Sequence, residues 1–274
     1  MRELIHYGAQ FIKIANDTVG VYPAVNPDRP LFTREELEAV VDEAHRAGLR
    51  VSCHCEGSDG RSVTEAVEAG VDTIEHGITI PEDTVKMMAA RGTYYVPTLA
   101  NTRAHADGWF ADAFGSSESY LENARRADAM HAHTLALCLE HGVKVAMGSD
   151  LVCGMANGVY ELDYLVEYGM SPFEALIAAT RTGAELMGLE GSIGTLEVGK
   201  QADLLIVDGD PLSDVGVLHD LDKLSLVMLA GQPVAGSMQK QFPWRNPGWP
   251  KGYHPNTTPF TGGGRPRVAV TDEG

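Results

Sequence analysis

Short apolar runs recur through the first 150 residues about every 25 residues, and the segments between them carry apolar positions at helical spacing. Five of these runs predict strands, at 11–14, 49–54, 71–77, 93–98 and 143–147. Glycine follows several of the helical segments, as expected where a helix ends. The alternation of strand, helix and glycine is typical of repeated βα units around a parallel sheet.

The helix that precedes the second strand has a clear start signal. Thr33 and Glu36 form a capping box, and apolar residues then recur at helical spacing to Ala44. Further helices are predicted at 62–69, 81–90, 122–140 and 173–187. Residues 100–120 interrupt the repeat. We expect an irregular insertion there, whose aromatic residues form either a lid or ordinary surface packing: Trp109, Phe110 and Phe114.

The character of the chain changes near residue 190. Turn-rich sequence at 191–200 leads into apolar runs at 202–208 and 226–229, which predict a small β-rich unit. The segment 237–274 is rich in proline and glycine and predicts an irregular tail. We therefore predict three regions: a partial barrel at 1–190, a β-rich segment at 191–236, and the tail at 237–274.

Composition limits the classes of function. The chain has 38 acidic and 21 basic residues, a formal net charge of −17, which argues against nucleic acid or an anionic membrane as partner. The 44% of hydrophobic residues suffices for a sizeable core. Four cysteines show neither zinc-finger nor disulfide-scaffold spacing, and neither a signal peptide nor a membrane span is visible. We expect reduced thiols and a cytoplasmic location.

Candidate chemistry lies at the ends of predicted strands. Lys13, His54, His76 and Asp150 each stand at or near such an end, the last in the stretch GVKVAMGSD at 142–150. The carboxyl ends of parallel strands meet at one rim, where barrel enzymes hold their active sites. Imidazole and carboxylate are ligands that zinc-type ions prefer, so two histidines and one aspartate in equivalent places predict a metal site.

The chain resembles the carboxy-terminal two-thirds of a metal-dependent amidohydrolase. The resemblance is to the branch that contains imidazolonepropionase-like enzymes and Xaa-Pro dipeptidases, and it covers roughly residues 1–235. It rests on GAQFIKI at 8–14, VSCH at 51–54, IEHG at 74–77, VPT at 96–98, GVKVAMGSD at 142–150, and SIGTLEVGKQADL at 192–204 with DGDP at 208–211. The implied fold is α/β, a partial TIM (β/α)8-type barrel of about five βα units with a small C-terminal part of the family's β-sandwich.

The resemblance also implies roles for the four candidate residues. Lys13 would carry a carbamate that bridges two Zn²⁺ ions, and His54 and His76 would bind the second of them. Asp150 would bind the first and act as proton shuttle. The implied reaction is hydrolysis of an amide, peptide-like or cyclic, by a metal-bound hydroxide.

The sequence departs from the family pattern in one important respect. The family carries a His-x-His pair on its first barrel strand, and this sequence has none there. His131 and His133 have that spacing but lie in a predicted helix, where i and i+2 do not share a face, so we interpret them as helix surface. The missing strands and ligands are either absent or supplied by another chain, so we expect a homo-oligomer or a partner chain that completes the barrel.

Substrate contacts are predicted near the same rim. Glu56 lies two residues beyond His54, so strand alternation aims it into the same pocket. It either faces a cationic part of a small amide or dipeptide-like substrate or is a solvated loop carboxylate. Of Tyr94 and Tyr95, one should face the pocket and the other the helical layer. Two alternatives stay open: a non-catalytic or partner-dependent partial barrel, and an esterase, lactonase or phosphotriesterase built on the same centre.

Overall fold

The computed structural model describes residues 1–17, 29–57, 59–108, 117–150 and 155–238. The chain forms two compact units: Met1–Asp150 with Glu167–Met170, and Leu151–Val166 with Ser171–Gly274. The boundaries predicted at 190 and 236 rest on composition and stay predictions. Among the residues that the structure describes, we find no helix with the length and apolar character that a membrane span requires.

The first unit contains a parallel sheet of four strands in the order β1-β2-β3-β4. The strands are β1 Ile12–Ala15, β2 Val51–Cys55, β3 Thr73–His76 and β4 Tyr94–Val96. The predicted strands and their parallel arrangement are confirmed for these four. The fifth run instead contributes one parallel bridge between Val145 and Tyr95, with Tyr95 N–H donating to the Lys144 carbonyl.

Six helices alternate with these strands along the described part of the first unit. They are α1 Arg2–His6, α2 Arg34–Arg46, α3 Arg61–Ala69, α4 Glu82–Arg91, α5 Leu99–Ala106 and α6 Glu118–Glu140. The capping box predicted at Thr33 is present, since Thr33 Oγ1 accepts from Glu36 N–H and the Glu36 carboxylate accepts from Thr33 N–H. Gly70 and Gly92 end α3 and α4 in the left-handed conformation.

The core of the first unit lies between the sheet and the helices. Leu37 of α2, Val63 of α3 and Met88 of α4 are fully buried, as is Ile74 of β3. Each such side chain contributes about 1.5–3 kcal/mol through burial. Because successive strand residues point to opposite faces, the side that carries Lys13, Ser52 and Glu75 faces away from this helical layer.

The expectation of an irregular insertion at 100–120 was wrong for the residues that the structure describes. Residues 99–106 form α5 and residues 118–120 begin α6. Apolar packing decides this, because Leu99, Ala100 and Ala104 are buried although they show little helical periodicity. The aromatic residues proposed as a lid, Trp109, Phe110 and Phe114, lie outside the described residues.

The second unit combines short helices with an antiparallel sheet. Its sheet has the order β5-β6-β7, formed by β5 Leu204–Val207, β6 Leu224–Leu229 and β7 Gln232–Ala235. The predicted small β-rich unit is therefore confirmed, with a third strand that the sequence pattern did not reveal. The helical elements are Met155–Tyr160 (3-10), α7 Glu161–Glu167, α8 Pro172–Ile177, a π-turn Ala178–Thr182, α9 Gly183–Met187, and 3-10 turns Val215–His219 and Leu221–Lys223. Most of the predicted tail, residues 239–274, lies outside the described part.

Candidate metal centre

Strand register brings Lys13 and Glu75 together on the face opposite the helices. Lys13 pairs with Ser52 across β1 and β2, and His54 pairs with Glu75 across β2 and β3. The Glu75 carboxylate accepts hydrogen bonds from both Lys13 Nζ and Ser52 Oγ. The sequence pattern did not single out Glu75, which the register between β2 and β3 places on the same face as His54.

His76 reaches this region because the backbone turns at the end of β3. Strand alternation alone would direct it with Ile74 toward the helices. Instead, His76 has a φ of 68°, in the left-handed region, and its ring lies 4.4 Å from that of His54, centroid to centroid. Its Nδ1 lies 2.7 Å from Thr98 Oγ1. With Nδ1–H donating to Thr98, the lone pair on Nε2 is available for a metal.

Three side chains form a group with metal-ligand chemistry. One ligand atom from each of His54, Glu56 and His76 lies within 4.8 Å of the other two. Two imidazoles and one carboxylate are a donor set that suits zinc and similar divalent ions, so the residues present fit such an ion. Glu56 was predicted as a substrate contact, and the structure places it beside the two histidines.

Asp17 organises the two members of this group that lie on β2 and the following loop. Its carboxylate is buried and accepts from the backbone N–H groups of Glu56, at 2.9 Å to each oxygen, and of Gly57, at 2.8 Å. It also accepts from Ser62 Oγ, and one oxygen lies 3.5 Å from His54 Nε2. No sequence signal marked Asp17, because its partners are some 40 residues away along the chain.

Asp150 is held from a different element. Its φ of 46° is left-handed, and Asn101 of α5 donates from Nδ2 to the Asp150 carbonyl at 2.7 Å and to Oδ2 at 3.2 Å. Burial raises the pKa of Asp150, while the nearby charges of His54 and Lys13 lower it. Burial lowers the pKa of Lys13, and Asp150 opposes that change. Asp150 is therefore electrostatically coupled to both residues.

Burial favours the neutral form of both histidines. It lowers the pKa of His54, and it holds the pKa of His76 well below its usual range, with the charge of His54 adding to the effect. A neutral imidazole is the form that binds a metal. The histidines thus have the protonation state that a metal site requires at neutral pH.

The interpretation of His131 as helix surface was wrong. His131 is fully buried in α6, where Nε2–H donates to the His76 carbonyl at 2.8 Å and Nδ1 lies 3.0 Å from Thr102 Oγ1. Burial lowers the pKa of His131 to about 4. His131 therefore supports the backbone of His76 rather than offering a ligand. His133, on the other face of the helix, is exposed as expected.

The two tyrosines suggested as substrate contacts have other neighbours. The centroid of the Tyr94 ring lies 5.8 Å from Cζ of Arg50, the residue that precedes β2, and 5.3 Å from Nζ of Lys144. Tyr95 is fully buried and donates from its hydroxyl to the Gly77 carbonyl at 3.1 Å, with His131 beside its ring. Tyr95 therefore faces the helical layer.

Comparison with known proteins places this arrangement in a family. The family model described as "Amidohydrolase family" matches residues 1–234. The chain belongs to the amidohydrolase family. The predicted resemblance is thereby confirmed, and so is the α/β fold of a partial barrel with a small antiparallel sheet.

Similar proteins match this amidohydrolase over part of their own length. An uncharacterised protein of Mycobacterium tuberculosis (strain ATCC 25618 / H37Rv) is 34% identical over 205 residues, covering 74% of this chain and 52% of that protein. Ochratoxinase of Aspergillus niger is 29% identical over 241 residues, covering 86% of this chain and 48% of that protein. A solved Xaa-Pro dipeptidase with methionine bound in its active site superposes with a TM-score of 0.76 at 34% identity, covering 86% of this chain and 57% of that one. The chain spans about half the length of the curated relatives it matches.

Proposed function

We propose that this amidohydrolase chain takes part in metal-dependent hydrolysis of an amide bond, peptide-like or cyclic. The observation that carries the proposal is the convergence of His54 and His76 at the ends of adjacent strands, with the Asp150 carboxylate coupled to His54 and Lys13. Neutral imidazoles beside a carboxylate are suited to binding a divalent cation and to moving a proton close to it.

In this proposal two Zn²⁺ ions would be held by four side chains: Lys13 as its carbamate, His54, His76 and Asp150. Bound zinc lowers the pKa of water and polarises a carbonyl group. The chain's own residues supply the remaining functions. Asp150 takes a proton during attack and returns it to the leaving amine, and burial, which raises the pKa of its carboxyl group from the ordinary value, supports this role. Asn101 keeps the Asp150 carboxylate in one orientation through its two hydrogen bonds.

The proposed substrate is a small amide or dipeptide-like molecule. A solved neighbour of this chain is a Xaa-Pro dipeptidase, and a relative is ochratoxinase. The two proteins have different names and substrates, and one kind of hydrolytic centre can act on both. The two comparisons therefore support hydrolysis as the reaction more strongly than they support any particular substrate. A panel of Xaa-Pro dipeptides, other dipeptides, a lactone and a phosphotriester separates the amidase from the esterase, lactonase and phosphotriesterase alternatives.

The test compares Asp150→Ala with Asp83→Ala in the full chain supplied with Zn²⁺. Asp83 is a matched control because its carboxylate is almost fully exposed on α4, where it lies 3.7 Å from Lys86 Nζ. We expect turnover of the best amide to be abolished by Asp150→Ala and unchanged by Asp83→Ala, with both variants folded by circular dichroism. Activity of Asp150→Ala within tenfold of wild type would refute the role of Asp150.

A second candidate is a chain whose activity depends on a partner. One observation favours it: β1 is an edge strand of the described sheet, with Phe11 exposed beside it. An uncovered edge strand is a ready pairing site for another chain. Light scattering measures the assembly, and activity that rises more than linearly with protein concentration identifies a homo-oligomer. Proportional activity of a monomer excludes this candidate.

A further inference from the structure

We propose that Glu56 is the third protein ligand of a divalent cation bound by His54 and His76, so that one cation site is complete within this chain. The inference rests on the metal centre of the proposed function and adds a ligand to it. It differs from that function in what it requires, because it concerns the affinity for the cation and its dependence on Glu56, whereas the proposed function concerns turnover and its dependence on Asp150.

The geometry of the three side chains supports one shared cation. Their ligand atoms lie within 4.8 Å of one another. Ligands about 2.0–2.2 Å from a tetrahedral zinc ion are separated by about 3.3–3.6 Å. The three side chains therefore need to close by at most about 1.5 Å, which lies within the reach of side-chain torsions. Two histidines and one carboxylate also leave a fourth position open, as catalytic zinc sites do.

The chain positions its two histidines for this purpose. His76 Nδ1 lies 2.7 Å from Thr98 Oγ1, and in the tautomer with Nδ1–H donating to Thr98 the Nε2 lone pair is left for a cation. His54 Nε2 faces the buried Asp17 carboxylate at 3.5 Å, and a proton held there leaves the lone pair on Nδ1. Carboxylate and hydroxyl partners of this kind fix the ring orientation of metal-binding histidines.

Asp17 also fixes the third ligand. Both of its oxygens accept from Glu56 N–H at 2.9 Å, and one accepts from Gly57 N–H at 2.8 Å. The same buried carboxylate thus holds the backbone of Glu56, in the loop directly after β2, and faces the ring of His54 on β2. Asp17 thereby links the two residues whose ligand atoms lie within 4.8 Å of each other.

Charge favours this assignment as well. Two neutral imidazoles leave both charges of a divalent cation uncompensated, whereas the Glu56 carboxylate neutralises one of them in a partly buried place. Asp59, in the same loop, provides a comparison. Its side chain is exposed, and its carboxylate accepts from Arg61 N–H at 2.9 Å.

The experiment titrates the metal-free full chain with ZnCl₂ by calorimetry and with Co²⁺ by visible absorption. We expect the wild-type chain to bind a cation tightly at this position, with the spectrum of a four- or five-coordinate cobalt ion. Glu56→Gln should weaken Zn²⁺ binding at least about tenfold and change the cobalt spectrum, and Asp17→Asn should weaken binding about 10–100-fold. Glu56→Asp, which keeps the charge, should retain more affinity than Glu56→Gln. Asp59→Asn should bind within twofold of wild type.

One result would overturn the inference. In it, Glu56→Gln and Glu56→Asp both bind the metal ion with wild-type affinity and spectrum, whereas His54→Ala loses binding. That result leaves amide hydrolysis and its dependence on Asp150 untouched. Conversely, tight binding that depends on Glu56, in a chain that cleaves no substrate of the panel, supports this site and removes the proposed function. The two proposals therefore fail on different measurements.

Discussion

Lowering the pH from 7 to 5 tests how much the buried His131 contributes to stability. The ordinary pKa of histidine is 6.5, and burial lowers that of His131 to about 4. Between these values the unfolded chain binds a proton that the folded chain excludes, so the free energy of unfolding falls as the pH falls. The contribution is present above pH 6.5 and is lost completely below pH 4.

The magnitude follows from the two pKa values. For one histidine with these values, proton linkage lowers the free energy of unfolding by about 2 kcal/mol between pH 7 and pH 5. The loss reaches about 3 kcal/mol once the histidine is protonated in both the folded and the unfolded chain. His105 has a pKa that burial also lowers to about 4, so the wild-type chain loses more than His131 alone accounts for. The difference between matched variants isolates the contribution of His131.

The assay is urea unfolding at pH 7, 6 and 5, followed by circular dichroism with a chelator present so that metal binding does not contribute. His131→Gln can keep a donor toward the His76 carbonyl but does not titrate, so we expect it to lose about 2 kcal/mol less than wild type over this range. His133→Gln is the control on the exposed face of the same helix and should follow the wild type. Equal pH dependence of His131→Gln and wild type, within about 0.5 kcal/mol, would refute the argument.

Four further substitutions test the support of the site and of the fold. Gly77→Ala should lower the free energy of unfolding by about 3 kcal/mol, because φ is 57° there and an added Cβ would meet two side chains at 2.9 Å. Gly92→Ala is the comparison: φ is 75° but the space is open, so the cost should be about 1 kcal/mol. Thermal unfolding measures both. Thr33→Ala removes the capping box of α2 and should cost about 1 kcal/mol in the same measurement; no change would show that the box is not a source of stability. Asn101→Ala should lower kcat for the best amide about 10–100-fold by releasing Asp150, and unchanged steady-state kinetics would contradict that role.

Much of the first unit follows from local sequence. The capping residues of α2, the glycines that end α3 and α4, and the apolar runs of β1 to β4 act through contacts within one turn or one strand. Such signals are readable without tertiary information. The positions of His54 and His76 at or near strand ends follow from the same pattern, whereas Lys13 is the second residue of β1 and does not end its strand. The roles of all three as ligands stay predictions.

What the sequence could not show depends on contacts between distant parts of the chain. The helix over 99–106 forms where apolar periodicity is weak, because buried packing stabilises it. His131 shares the helix and the spacing of His133, and only the neighbouring turn after β3 makes one of them buried and the other exposed. Asp17 acquires partners from residues 54–62, which no local pattern links to it.

The composition of the metal centre illustrates the same division. Alternation along β2 was enough to place His54 and Glu56 on one side. Only the left-handed turn at His76, held by Thr98 and His131, brings the third side chain to them. Sequence therefore determined the four strands of the parallel sheet and the residues that they carry, because those features depend on neighbouring residues. Tertiary structure decided which side chains share a site, because burial and backbone turns there are set by partners far along the chain.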